Sequence, residues 1–146
     1  MMPVKIVLGA DHAGFEWKES IKHWLVDQGY AVLDKGAFST ESVDYPDYIH
    51  PVARAIEAGD AKLGIVFCGS GNGVAMTANK HAHIRAAIAW KPELAALARQ
   101  HNDANVLAIP ARFVTVEMAL EMVKTFLNTE FEGGRHQNRV NKIRCS

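Results

Sequence analysis

The chain has 146 residues, of which 49% are hydrophobic and 22% charged, so one compact domain with a substantial core is expected. Sixteen basic side chains balance sixteen acidic ones, and the zero net charge gives no reason to expect nucleic acid or an anionic membrane as partner. A local basic cluster, Arg135, His136, Arg139, Lys142 and Arg144, is the exception.

Short apolar runs alternate with helical patterns along the chain. Ile6-Val7-Leu8 reads as a strand, followed by a helix with Trp17, Ile21, Trp24 and Leu25 on one face and Gly29 as its stop. Ala31-Val32-Leu33 is the second strand, and Pro46 opens a helix carrying Val52, Ala53 and Ile56. Leu63 to Phe67 is a nearly continuous apolar strand, followed by a short helix from about Val74 to Lys80. Ala86 to Ala89 is the fourth strand, Pro92 to Gln100 a Leu- and Ala-rich helix, and Val106 to Ile109 the fifth strand. Val116, Ala119, Leu120, Val123, Phe126 and Leu127 share one face of the next helix. Strands without polar alternation are buried on both faces. Their interleaving with helices predicts a three-layer α/β/α sandwich, Rossmann-like, around a five-stranded parallel sheet. No repeat or linker is visible, so residues 1–146 are read as a single domain. The break at Glu132-Gly133-Gly134-Arg135 sets off a polar tail, 133–146, which is expected to pack on a partner subunit.

Cys68 and Cys145 lie outside any CxxC pair, which excludes a dense disulfide framework and suits reduced thiols in a cytoplasmic setting. No apolar stretch approaches the roughly 20 residues that span a bilayer, and no signal peptide is expected.

Open parallel sheets bind ligands beyond the carboxyl ends of their strands, so the residues that follow each strand matter most. After the first strand, Asp11-His12-Ala13-Gly14 sets an acid and an imidazole at a helix entrance. Asp11 suits hydroxyl recognition and His12 an anion, and Asp11 equally suits a helix cap. After the third strand, Cys68-Gly69-Ser70-Gly71-Asn72-Gly73 has glycines at alternate positions, which lets backbone N–H groups converge on an anion or a transient oxyanion. The spacing is neither a dinucleotide fingerprint nor a phosphate-binding GKS/T loop. A thiol beside a helix N-terminus is favoured as thiolate, while a lone cysteine at a strand end also serves as a small buried hydrophobe. Trp90 reads as packing, as do Met76, Met118 and Met122. His101-Asn102-Asp103-Ala104-Asn105 is unusually polar for the approach to a buried strand, and His101 is a candidate acid–base group. Arg112 follows the fifth strand. Arg135, His136 and Arg139 have the spacing of a phosphate clamp, or of a solvated basic tail. His81 and His83 lack companions at metal-ligand spacing, so no metal site is expected, and Cys145 is read as an incidental thiol.

Several segments together resemble the RpiB/LacAB family of sugar-phosphate isomerases. They are Asp11-His12-Ala13-Gly14, Asp44-Tyr45-Pro46, Cys68-Gly69-Ser70-Gly71, Ala78-Asn79-Lys80, Arg85-Ala86, Arg99 through Leu107, Gly133-Gly134-Arg135-His136 and Arg139-Val140. The resemblance spans nearly the whole chain. It implies a homodimer, in some members a tetramer, with active sites at the dimer interface. It implies interconversion of ribose 5-phosphate and ribulose 5-phosphate through an enediol, without cofactor or metal. Carried onto this sequence, it makes Cys68 the proton-shuttling base and has Ser70 assist at the substrate oxygens. The backbone from Gly69 through Gly71 and Asn72 to Gly73 would stabilise the enediolate. His101, with Asp44 nearby, would open the sugar ring. Asp11 and Asn102 would hold hydroxyls. His12, Arg112, Arg135 and Arg139 would bind phosphate, the last two reaching across from the partner.

The family's other subtype uses a glutamate just after the Gly-rich loop, and here that position is Val74, which leaves Cys68 as the base. Pro110 stands where the family commonly has glycine, which puts the approach of Arg112 to phosphate in question. Rival readings are an isomerase of a hexose 6-phosphate, of allose or galactose type, and a phosphosugar-binding module without chemistry. A cysteine phosphatase is excluded, because the arginine its loop needs six residues after the cysteine is Val74 here.

Overall fold

The computed structural model describes residues 3–145. In chain order the elements are β1 (Lys5–Ala10), α1 (Phe15–Asp27), β2 (Ala31–Asp34), α2 (Pro46–Glu57), β3 (Leu63–Cys68), α3 (Asn72–Ala78), β4 (Ala86–Ile88), α4 (Pro92–Asn102), β5 (Val106–Pro110), α5 (Val116–Asn128) and α6 (Arg135–Asn141). The strands form one parallel sheet in the order β2-β1-β3-β5-β4. The α/β sandwich expected from the unalternated strands is the fold found. Along β1 and β3, successive side chains enter opposite layers, as the two-residue strand period demands. Ile6, Leu8, Ile65 and Phe67 pack with Ile21, Leu25, Met122 and Phe126 from α1 and α5. Val7, Val66 and Cys68 pack with Ile49, Val52, Val74 and Ala78 from α2 and α3.

Some local expectations are corrected. Helix α3 begins at Asn72, inside the Gly-rich loop, because Gly71 takes the left-handed conformation (φ 79°) from which the chain turns into the helix. Trp90 is 56% exposed and does not pack in the core. Met76 is exposed on α3 and Met118 on the first turn of α5, while Met122 is buried as expected. The tail also has contacts within its own chain, which the sequence did not suggest: α6 lies against α4, with Val140 buried and His136 stacked on His101. Among the described residues, no helix is long and apolar enough to cross a membrane.

One position on the apolar face of α1 is charged. The Lys18 ammonium has no solvent exposure. It donates to Asp34 Oδ1 at 2.9 Å, Asp34 Oδ2 at 2.7 Å and Glu19 Oε2 at 2.7 Å, and lies over the rings of Phe15 and Phe38. Lys22 adds a donor to Asp34 at 3.0 Å. Burial raises the Asp34 pKa, but hydrogen bonds from Lys18, the Gly36 amide and Lys22 outweigh it and leave the carboxyl below the usual aspartate range. The pair fixes the chain after β2, where Gly36 accepts from the Ala10 amide and Ala37 donates to the Ala10 carbonyl, both at 2.7 Å.

Removing one partner strands the other charge in the core, so Asp34→Asn is expected to destabilise the fold by about 3 kcal/mol in denaturant titration at neutral pH. Because the folded carboxyl titrates below its unfolded counterpart, the stability it supplies is present at neutral pH. It is lost as pH falls below the ordinary aspartate value of 3.8. Asp34→Asn should flatten that part of the stability–pH curve.

Candidate active site

The sheet order changes direction between β1 and β3, and the loops leaving those adjacent strands form the centre of the site. They are locked together, since the Asp11 amide donates to the Phe67 carbonyl at 3.2 Å and Gly14 lies against Phe67 so closely that a Cβ would stand 2.5 Å from Phe67 Cβ. Asp11 Oδ1 accepts from the amides of Ala13 and Gly14 at 2.9 and 3.1 Å. Asp11 thus shapes the turn before α1 rather than capping the helix, whose N-cap is Gly14, and the two bonds use only Oδ1. His12 Nδ1 accepts from the Val43 amide at 3.1 Å. That bond fixes the neutral tautomer with its proton on Nε2, a donor suited to an anion.

Cys68 ends β3, 5% exposed, with its sulfur accepting from the Gly71 amide at 3.2 Å. A donor aimed at sulfur stabilises negative charge there. Ser70 is exposed, and its hydroxyl accepts from the Asn72 amide at 3.2 Å. The ring of Tyr45 covers Gly73, where a Cβ would stand 2.6 Å from it, and this contact brings the Asp44 loop to the Gly-rich loop. Tyr45 received no role from the sequence; the only hint was its place beside Asp44. Arg112 arrives from β5. Pro110 pairs with Cys68 in the ladder, which runs on past it through Ala111 to the Cys68 carbonyl (2.8 Å) and Arg112 to the Gly69 carbonyl (3.0 Å). The proline therefore does not divert Arg112, whose side chain lies directly over Gly69, 3.1 Å from where a Cβ would be.

Beside this loop runs an open groove of about 390 Å³ lined by Ser70, Asn72, Ile88, Trp90, Pro110 and Phe113. It borders a second groove between α3 and β4 that includes Asn72, Ala75, Met76 and Ile88. Met76, Trp90 and Phe113 are 67%, 56% and 76% exposed, an apolar rim next to a polar loop.

The other expected residues lie elsewhere. Helix α4 leaves the carboxyl end of β4, so its last residues, His101 and Asn102, lie at the amino end of the sheet. The Asn102 carbonyl accepts from Arg85, just ahead of β4, at 3.2 Å. The five residues of β5 then separate His101 from the Cys68 loop by on the order of 15 Å within one chain. Of the polar run, Asp103 and Asn105 are structural. Asp103 (φ 46°) bonds Arg85 and Arg99, and Asn105 bonds the Arg85 amide and the His83 carbonyl. His101 and Asn102 keep side chains facing outward. His136 stacks on His101, ring centroids 4.3 Å apart and planes within 12°. Desolvation, followed by the charges of His101 and Arg135, lowers the His136 pKa, with Glu132 opposing. Arg135 and Arg139, one helical turn apart, are exposed beside them. Among the described residues, His101, Glu132 and His136 bring potential metal-ligand atoms within 4.8 Å of one another, but the stacked rings cannot aim both Nε2 lone pairs at one ion.

The family model described as Ribose/Galactose Isomerase matches residues 6–143, and the chain belongs to that family. It is 48% identical over 139 residues to ribose-5-phosphate isomerase B of Escherichia coli, covering 95% of this chain and 93% of that protein. The fold superimposes on a crystal structure of a ribose 5-phosphate isomerase from Thermotoga maritima with a TM-score of 0.95, at 48% identity and 97% coverage of each chain. It also superimposes on ribose-5-phosphate isomerase B from Mycoplasma genitalium with bound ribulose-5-phosphate: TM-score 0.92, 41% identity, 98% of this chain and 95% of that one.

Gly73→Ala is expected to cost about 1–3 kcal/mol by driving a methyl into the Tyr45 ring. Tyr45→Ala in the same chain should recover much of that loss, a coupling that a double-mutant cycle in thermal unfolding will read.

Proposed function

We propose that this chain is an aldose–ketose isomerase that interconverts ribose 5-phosphate and ribulose 5-phosphate through an enediol, using no cofactor or metal. The observation that carries the reading is the Cys68 sulfur, held at the end of a central strand with the Gly71 amide on it and the Gly-rich loop around it. A hydrogen alpha to a carbonyl leaves only if a base is close and the carbonyl oxygen is stabilised as charge builds. In the open-chain aldose the Cys68 thiolate takes the C2 proton, and the electron pair moves into the C1–C2 bond and onto O1. Amides of Gly69 to Gly73, with Ser70, hold that oxyanion. The thiol returns its proton to C1 while the O2 proton passes to O1, leaving a ketone at C2 and a hydroxyl at C1. His101 serves the earlier step, protonating the ring oxygen while the anomeric hydroxyl loses its proton, with Asp44 near. Asp11 Oδ2 and Asn102 orient hydroxyls. His12, Arg112, Arg135 and Arg139 bind the phosphate, whose binding energy orients the reacting carbons.

Because His101, Asn102, Arg135 and Arg139 belong to the opposite end of the sheet from Cys68, the reading requires two chains per site. A two-fold homodimer supplies this by bringing the α4–α6 end of one copy to the Gly-rich loop of the other. The exposed apolar rim of Met76, Trp90 and Phe113 beside that loop suits such a partner. The ribulose-5-phosphate bound to the Mycoplasma genitalium relative supports the pentose substrate.

Cys68→Ala is expected to lower kcat about a hundred- to ten-thousand-fold while a substrate analogue still binds. Retention of most activity would rule the thiol out as base. In a panel of aldose phosphates, ribose 5-phosphate should have the highest kcat/KM, and preference for a six-carbon phosphate would replace the pentose assignment.

The two-chain site is tested by mixing Cys68→Ala and Arg139→Ala subunits, each inactive alone. Random exchange makes about half the dimers mixed, each with one intact site, so roughly a quarter of wild-type activity should return. If both residues serve one chain, nothing returns even with exchange confirmed by a charge tag.

A further inference from the structure

In the proposed two-chain site, His101 and Asn102 come from the end of α4, while Arg135 and Arg139 come from α6. Residues 129–134, between α5 and α6, are irregular backbone, with Gly133 and Gly134 at φ 68° and 56°. Such a connector has little stiffness of its own, so the spacing between the two pairs is set by its contacts with α4. Arg99 makes the most extensive of these. It lies in α4, two residues before His101, and its side chain is 13% exposed. Its Nε donates to the Thr129 carbonyl at 3.1 Å, and its Nη1 donates to Asp103 Oδ1 at 3.0 Å and to the Ala104 carbonyl at 2.7 Å. The guanidinium also stands 5.9 Å from the centroid of the Phe126 ring on α5. One planar group thus joins the last turn of α4, the turn into β5 and the exit of α5. Farther along, the Glu132 amide donates to the Gln100 carbonyl at 3.1 Å, and His136 stacks on His101.

We propose that Arg99 is a positioning residue that holds the His101 imidazole and the Arg135–Arg139 pair at the spacing a single sugar phosphate needs. A guanidinium is suited to this and an ammonium is not. Its donors diverge from a rigid plane, so acceptors on three segments fix its orientation and are fixed by it. An ammonium on a flexible stem meets one or two of them and imposes no common geometry. The Thr129 carbonyl follows the last turn of α5, where helix ends leave acceptors without internal partners. Without the Arg99 donor it is unpaired, and the connector is free to leave α4. The Asp103 carboxylate accepts from Arg85 as well, at 3.4 Å, so the turn into β5 keeps an anchor when Arg99 is altered. Arg99 acts on the sugar indirectly, through the backbone that carries His101 and through the connector that carries α6. The placement stands on these hydrogen bonds; its effect on turnover rests on His101 as the ring-opening group.

Placement is read without substrate, on the full-length protein, from the ring protons of His101 and His136 in NMR spectra assigned with His101→Gln and His136→Gln. Stacked rings shift each other's protons upfield, and Arg99→Lys should remove most of that shift from both. Unchanged shifts would overturn the proposal. Action on the site is read in turnover of cyclic ribose 5-phosphate. Arg99→Lys should lower kcat about tenfold and raise KM several-fold, with circular dichroism unchanged. In a His101→Ala background the kcat factor should shrink to about twofold or less, since the group being positioned is gone, while the KM rise persists. A merely structural residue would cost the same kcat factor in both backgrounds; that result, or an unchanged KM, overturns the action on the site. If His101→Ala by itself leaves turnover intact, ring opening by His101 fails, and the ring shifts and KM decide the placement. Should Arg99→Lys not fold, Asp103→Asn carries the same readouts with smaller changes in the same direction, because asparagine tolerates the left-handed turn at that position.

Discussion

A parallel strand can follow another only if the chain is carried back the length of the sheet between them. In this protein that return is made by helices, so a residue that ends a strand and one that ends a helix sit at opposite ends of the same domain. Cys68 ends β3 and His101 belongs to the last turn of α4. Their separation is a consequence of the topology and is independent of any side-chain detail. It makes the domain two-ended: a loop of amides with a thiol at one end, and a cluster of imidazoles and guanidiniums at the other. The two-fold association proposed above would bring one end of each copy to the other end of its partner.

The thiol end is tied to the core by a continuous series of contacts. Buried Lys18 holds Asp34, and Asp34 accepts from the Gly36 amide. Residues 36–37 clip to Ala10, immediately before Asp11. Farther along, Val43 orients the His12 ring and Tyr45 closes over Gly73. An ion pair in place of an apolar contact is weak as a source of net stability. Here its effect is directional, because a carboxylate with three donors specifies where the following loop must run.

A different division of labour holds at the far end. Asp103 and Asn105 use their polarity to secure the turn between α4 and β5, and so leave His101 and Asn102 facing outward. Four polar residues thus separate into two that build the turn and two whose side chains it does not use. Stacking of His136 on His101 then fixes the position of the tail on its own chain, with Arg135 and Arg139 still exposed.

The sequence by itself determined the strand order along the chain, the helices between the strands and the buried character of β1, β3 and β5, while the edge strands β2 and β4 are only half-buried. Apolar periodicity is a local signal, and each unalternated run from Ile6 to Ile109 carried it. It also marked Cys68-Gly69-Ser70-Gly71 and the His101 segment, because such residue types are conspicuous beside buried strands. It misjudged Trp90 and Met76, since residue type does not say whether an apolar side chain at a sheet's end finds a neighbour. Lys18 was invisible because its partner is sixteen residues away on another element. Glu132 was passed over as part of a break between helices, and its amide hydrogen bond to the Gln100 carbonyl forms only because the segment after α5 folds back on α4. Which of the marked residues share an end of the sheet was likewise a matter for the tertiary structure. Proximity across 30 or more positions depends on how parallel strands and returning helices are stacked, and no local pattern encodes that.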